Sequence, residues 1–581
     1  VRTNQLGFLP EARKVGVVRA EGLEPVPFEV IDARGRTLVS GQTEPRGADA
    51  DSGDAVHWAD FSGLKSEGRG YVLRVGDDES HPFDVRADVY RSLVRDALAY
   101  FYHNRSGTPI EARFVGKKYA RAAGHLSDAH ATCPAGRCPY SLDVSGGWYD
   151  AGDFGKYVVN GGIATWTLLS LWERTQHHGA NAELFADGAL AIPEAGNGKP
   201  DLLDEVAWEL RFMLGMQVPQ GQPLAGLVHH KVHDSSWGPL AVTPPSDAKF
   251  RFLRAPSTAA TFNLAAVAAQ CARVYASVDP SLAKRCRAAA GRAWNAAQRN
   301  PVLLASPQDN MGGGPYDDKD VSDERYWAAA ELYLTFKKPE FLDVLRASPH
   351  HGRLSPRVGD AAGQHLAALN WQATAALGAI SLITVPSDLP AEDREKLRQS
   401  VLQAADEYLK VIARQGYRMP LEPGSNRHYP WGSNSFVVNN ALVLAVAHQL
   451  TGEKRYRDGA AEGLDYLLGR NPLGLSYVAG YGERAFEKPH HRFWAHGVAP
   501  ARPRPPAGAL AGGPNSKLED PTAKRLLSGC APAKCYADNA EAWSLNEVAI
   551  NWNAPLAWVA AYLDDAARST SRVGGRHPVA P

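Results

Sequence analysis

The sequence predicts a mainly α-helical protein, a toroid of paired helices preceded by a small all-β sandwich. Two observations carry this. Up to about residue 86 the apolar residues fall in short alternating or β-branched runs between Gly, Pro, Asp and Asn turns, the pattern of a small sandwich. From Asp88 onward, long Ala- and Leu-rich segments place apolar residues three and four apart. The strands are expected at Lys14 to Val18, Val26 to Ile31, Thr37 to Ser40, Tyr71 to Val75 and His81 to Val85. The helices are expected at Tyr90 to Tyr102, Ile163 to Arg174, Leu202 to Met216, Ala259 to Ala276, Ser281 to Gln298, Asp323 to Thr335, Gln364 to Leu382, Ala391 to Gln415, Ser435 to Leu450, Lys454 to Leu468 and Leu545 to Leu563. Two domains follow, residues 1–86 and 87–581.

Charge narrows the partners. Lys plus Arg equals Asp plus Glu at 63 each, so no clustered positive field argues for nucleic acid or an anionic membrane. The apolar stretches fall short of the roughly 18 residues that a membrane span needs. With 14 Trp and 21 Tyr, the composition suits stacking on an uncharged ligand as well as filling a core. Six cysteines form three near pairs: Cys133 with Cys138, Cys271 with Cys286, and Cys530 with Cys535. Paired spacing points to disulfides and an oxidising compartment, secreted or periplasmic, with buried thiols or a zinc site at His125, His130, Cys133 and Cys138 as the alternatives. The chain starts at Val1 without a signal-peptide pattern, which is expected where an export signal has been removed.

Function should reside in the polar, aromatic loops between the helices. In DVSGGWYDAGDFGKY (143–157), Asp150 and Asp153 flank Ala-Gly, two carboxylates that could share one water, or else a solvated pair or a calcium loop. EKPHHRFWAH (487–496) offers His490, His491 and Arg492 beside aromatic faces, as sugar hydroxyls and C–H surfaces require. YADNAEAWSLNEVAINWNAP (536–555) holds Asp538, Glu541 and Glu547, and there Ser544 with Glu547 also fits a helix capping box.

Together VSGGWYDAGDFGKYV (144–158), NPLGLSYVAGYGERAFEKPHHR (471–492) and the 536–555 segment resemble glycoside hydrolase family 9, the cellulase family with an inverting (α/α)6 barrel. VRTNQLGFLPEARKVGVV at the N-terminus resembles the immunoglobulin-like domain that precedes the barrel in one subgroup. The resemblance implies hydrolysis of β-1,4-glucosidic bonds, endo-acting, or alternatively exo-acting release from chain ends. A non-catalytic carbohydrate-binding protein on this scaffold would be expected to lose a carboxylate, and all three are present.

By the same resemblance, Asp153 is the general base, Asp150 helps hold the water and Glu547 is the general acid, overriding the cap. His490 and Arg492 grip the sugar, and Asp538 is a further signature acid. Trp237, Trp327, Tyr429 and Trp431 are candidates for the cleft wall, each with a core role as its alternative. No cofactor is implied for catalysis. A structural calcium is implied through Asp201, Asp204 and Glu205, unless these are only the acidic start of a helix. Pro139 stands where a zinc-binding relative has His after its second Cys, which argues for a disulfide at Cys133 and Cys138 instead. Phe154 departs from the family's His or Tyr and leaves both carboxylates in place. The substrate partner is a β-glucan, the assembly is expected to be a monomer, and the β domain is expected to be a brace, although Trp58 and Phe61 look exposed.

Overall fold

A computed structural model of the chain describes residues 1–360, 363–424 and 426–574. Residues 575–581 of the expected second domain lie outside the described residues.

The first region is a sandwich of two sheets. One sheet runs β1 (Gly7–Phe8), β9 (Phe83–Val85), β7 (Gly68–Val75), β3 (Pro27–Ile31) and β4 (Thr37–Gln42), with β8 (Asp78–Glu79) beside β7. The other runs β2 (Val15–Arg19), β6 (Asp54–Asp60) and β5 (Glu44–Asp49). Phe8, Val18, Phe28, Val30, Ala59, Leu73 and Phe83 meet between them. The second sheet is also buried on its outer face, where Val15, Val17, Val56 and Trp58 join the core of the helical region. A strand buried on both faces loses the alternation that identifies it, which explains why β6 escapes the sequence pattern. Trp58 and Phe61 are buried, contrary to expectation: Trp58 Nε1 donates to the Gly416 carbonyl at 2.8 Å, and Phe61 packs edge-on to Phe8.

The helical region contains twelve helices of nine residues or more among the described residues: α1 (Arg91–His103), α2 (Val158–His177), α3 (Asp201–Gly215), α4 (Thr258–Val274), α5 (Pro280–Arg299), α6 (Ser322–Phe336), α7 (Pro339–Ala347), α8 (Ala375–Thr384), α9 (Ala391–Arg414), α10 (Ser433–Thr451), α11 (Lys454–Leu467) and α12 (Ile550–Gly574). The even-numbered helices are buried nearly all round, as in α4, where every residue from Thr258 to Ala272 is buried. Among the odd-numbered ones, α5 buries a stripe at Leu282, Cys286, Ala289, Ala293 and Ala297, whereas α3 and α11 are buried over most of their surface. Packing follows: α12, α2, α4, α6 and α8 contact one another in succession, α10 contacts α12, and α9 bridges α8 to α10. Each odd helix contacts a neighbouring even one. The three predicted disulfides are formed, and Cys271–Cys286 ties α4 to α5 across their turn.

Three segments differ from expectation. The helix expected from Gln364 begins at Ala375, because Asn370 turns the chain, its side chain accepting the Gln372 N–H at 2.7 Å. Helix α7 is unforeseen, being short and started by Pro339 at its first position. The helix expected from Leu545 is broken at residues 547–549.

Candidate active site

The loop 143–155 leads into α2. Gly146 and Gly147 take positive φ values of 77° and 71°, and a Cβ on Gly147 would overlap Phe212 of α3. Helix α3 anchors the next residue twice: Trp148 N–H donates to Glu209 at 2.7 Å and its indole to Glu205 at 2.8 Å. Asp150 Oδ2 accepts from Asn160 Nδ2 and the Tyr316 hydroxyl, both at 2.9 Å, and Asp153 Oδ2 accepts from the Tyr157 hydroxyl at 2.7 Å. Each carboxylate keeps a buried Oδ1 without a partner among the described residues. Burial, and then the charge of Asp153, push the Asp150 carboxyl up to about 7.

Backbone hydrogen bonds join the three sequence-distant segments. Ile550 N–H donates to Asp150 O at 2.9 Å, Arg492 N–H to Gly152 O at 3.0 Å, and His490 N–H to Asn546 O at 2.8 Å. A Cβ on Gly152 would collide with the His490 carbonyl, so this contact requires glycine.

Glu547 lies in the break before α12, in extended conformation (φ −71°, ψ 164°). It forms no capping box with Ser544, which sits inside the short helix Trp543–Asn546 and donates both its N–H and its hydroxyl to Asp520. Burial holds the Glu547 carboxyl well above the usual carboxylate range, the charges of Asp153 and Asp150 add to this, and Arg492 offsets part of it.

His490 Nδ1 lies 2.7 Å from the Ala540 carbonyl and so carries its hydrogen, which leaves Nε2 as an acceptor. Burial and Arg492 push this imidazole down to about 4, so it is neutral at pH 7. His491 is architectural: Nδ1 accepts the N–H groups of Phe493 and Trp494 at 3.0 Å each, and the ring stacks on Trp494. The Arg492 guanidinium stands 5.9 Å from the Trp237 ring centre. Asp538 braces this segment, accepting from Glu487 N–H, Lys488 N–H and Asn546 Nδ2 at 2.8–2.9 Å. Both its oxygens thus hold the 487–488 backbone and Asn546 in place.

Among the aromatic candidates, Trp237 is 52% exposed and Trp431 39%. Two are corrections. Trp327 is fully buried on α6, packed against Gly378 of α8. Tyr429 is buried with its hydroxyl donating to Asp51 of the β region at 3.0 Å, so it belongs to the domain seam. Tyr316 was missed; the only hint in sequence is the glycine run 312–314 before it, which lets the chain approach closely. Trp543, 37% exposed and 6.2 Å from His490, joins this face.

The expected calcium ligands do not converge. Asp201 accepts the N–H groups of Gly188 and Leu190, Asp204 accepts from Asn197, and Glu205 is paired with Arg105 and Trp148. A different acidic group has open oxygens: both of Glu324, with Asp318 Oδ2 and Asp323 Oδ1, are buried without hydrogen-bond partners among the described residues. Burial and mutual repulsion raise Asp318 to about 7 and Glu324 well above its ordinary value. The sulfurs of Cys133 and Cys138 are joined to each other, which removes them as zinc ligands.

Residues 90–560 match the family model for glycosyl hydrolase family 9, and residues 1–80 that for the cellulase N-terminal ig-like domain. The chain is 47% identical to endoglucanase C of Cellulomonas fimi, covering 100% of this chain and 53% of that protein. It is 45% identical to cellulose 1,4-beta-cellobiosidase of Acetivibrio thermocellus, covering 97% and 67%. The chain thus spans about two thirds or less of these relatives. A metagenome-derived glycoside hydrolase family 9 endoglucanase superposes with a TM-score of 0.84 at 31% identity, over 97% of this chain and 98% of that one.

Proposed function

Because this chain belongs to glycosyl hydrolase family 9, we propose that it is an inverting endo-β-1,4-glucanase acting on cellulose and related β-glucans. The observation that carries the reading is the backbone-bonded junction of the loops bearing Asp150, Asp153, Glu547 and Arg492. In this reading Glu547, kept protonated by burial and by the two aspartates, gives its proton to the departing glycosidic oxygen. Asp153 takes the proton from the attacking water, and Asp150 orients that water. The partnerless Oδ1 atoms are the acceptors available to it. Neutral His490 offers Nε2 to a sugar hydroxyl, and Arg492 donates from beside Trp237. Trp237, Trp431 and Trp543 supply exposed faces for sugar rings.

The scaffold is read as six helix pairs closed into a barrel, the even helices inside, with the boundary between domains at 86/87. The chain acts without a catalytic cofactor and as a monomer. Three disulfides favour a secreted or periplasmic site of action, and no helix among the described residues is long and apolar enough to cross a membrane.

The test combines viscosity loss and reducing-end release on soluble cellulose with the anomeric form of the first product. Early viscosity loss and an inverted anomer are expected. A second reading, exo-acting release of cellobiose, is favoured by the relative named as a cellobiosidase. Sugar release without early viscosity loss would select it, and a retained anomer would sink the mechanism.

A further inference from the structure

Beside the catalytic loop, apart from the groups used above, His125, Asp234 and Asp247 each present one ligand atom, all within 4.8 Å of one another. They come from three segments: the stretch preceding the catalytic loop, the end of the strand Lys231–Asp234, and the loop after the short turn Pro244–Ser246. Sequence spacing alone does not associate them.

The placing of His125 is specific. Its backbone is left-handed, φ 54° and ψ 42°, a conformation uncommon for a residue with a side chain. Its Nδ1 is 2.6 Å from the Tyr149 hydroxyl, which fixes the ring. Its Nε2 is buried, has no hydrogen-bond partner among the described residues, and lies 4.0 Å from Asp234 Oδ1. Asp247 Oδ2 is likewise buried and without a partner. Burying such atoms without a partner is unfavourable, because the hydrogen bonds they made to water are lost. Burial pushes the imidazole down to about 3, so it keeps a free lone pair at neutral pH.

The surrounding cations act from outside the cluster. Arg251 Nη1 is 2.7 Å from Asp234 Oδ1, and Lys249 Nζ is 3.2 Å from Asp247 Oδ1. Arg251 and Lys156 are themselves balanced by Asp128. These contacts orient the two carboxyl groups, which also face each other within hydrogen-bond reach, while the imidazole nitrogen stays open.

We propose that His125, Asp234 and Asp247 form a binding site for a borderline divalent transition cation of the zinc type. One imidazole nitrogen with two carboxylate oxygens suits that class, whereas calcium and magnesium prefer oxygen alone. Three protein donors leave a position for water. The hydrogen bond from His125 to Tyr149, next to Asp150, is the outer contact that sets the ring and links the site to the catalytic loop. The site is separate from the acidic group at Asp318, Asp323 and Glu324, whose donors are all oxygens.

The test is zinc titration of the metal-stripped chain by calorimetry with calcium in excess, together with anomalous diffraction at the zinc edge. One zinc per chain is expected, with its peak among the three side chains. His125→Ala and Asp247→Asn should each weaken binding roughly tenfold or more, and Glu324→Gln should leave it unchanged. Circular dichroism and melting temperature check folding, and Asp247→Asn carries the test if His125→Ala does not fold. Absence of zinc uptake by the unsubstituted chain, binding that survives both substitutions, or a peak elsewhere would each overturn the proposal.

Discussion

Two buried groups of charge use the same residue types in opposite ways. At the domain seam, Arg418 binds Glu462 at 2.6–2.9 Å, Arg470 reaches both Glu462 and Asp465, and Asn4 of the β region donates to Asp465 at 2.9 Å. The two guanidinium groups outweigh burial at Glu462 and hold it down to about 2, whereas at Asp465, which Arg470 meets at 3.2 Å, burial still wins and the carboxyl rises to about 7. In the cleft, hydrogen bonds from Asn160 and Tyr316 offset burial at Asp150, and Arg492 with the Gly152 backbone offsets it at Glu547, yet burial wins at both: Asp150 rises to about 7 and Glu547 rises well above its ordinary range. A carboxylate met by two guanidinium groups stays ionised, and carboxyls left without such partners store reactivity.

Four substitutions, the last set against a fifth at Trp431, would sharpen or break this contrast, in order of expected effect. Glu547→Gln should lower kcat by about 10²- to 10⁴-fold without loss of melting temperature. Undiminished turnover of β-glucan would remove Glu547 as the acid. Arg418→Ala should cost about 3–5 kcal/mol in denaturant unfolding, because it strips Glu462 of its better partner. If stability stays within 1 kcal/mol of the parent, a value far below the ~3 expected, the buried Arg418–Glu462 pair does not stabilise this region.

The third substitution tests the sign of a pH dependence. A carboxyl raised in the folded state binds its proton more tightly there than in the unfolded chain. Its contribution is therefore lost as pH rises from the unfolded value of about 4 through the folded value of about 7 for Asp150. Asp150→Asn should thus stabilise the chain at pH 8 by on the order of 3 kcal/mol, a gain that shrinks toward pH 4. A pH-independent difference would contradict the assignment. Glu462 has the opposite sign: its contribution is present above about pH 4 and is lost as pH falls toward 2. The smallest effect is expected at Tyr429→Phe, a loss of about 1 kcal/mol with KM for cello-oligosaccharides unchanged, whereas Trp431→Ala should raise KM. A raised KM in Tyr429→Phe would return Tyr429 to the cleft.

The helix periodicity was legible because it is written locally; α5 shows its buried stripe in the spacing of Leu282, Cys286 and Ala289. Strand β6 was not, since its second face is covered by helices distant in sequence. Asp150, Asp153, His490 and Arg492 stand out by residue type and motif, and the structure brings their loops together. Trp327 and Tyr429 looked like cleft residues because an indole or a phenol reads alike in either place.

What the sequence determined by itself is the chemistry available: two aspartates on a glycine-rich loop, a glutamate before the last helix, and three cysteine pairs within reach of one another. The tertiary structure decided what each group does. Glu547 is freed from the capping box because Ser544 is claimed by Asp520, and Asp538 becomes a brace because two backbone N–H groups and Asn546 converge on it. The physical reason is that burial and field depend on neighbours far away in the chain. A carboxylate's role follows from which of those neighbours reach it.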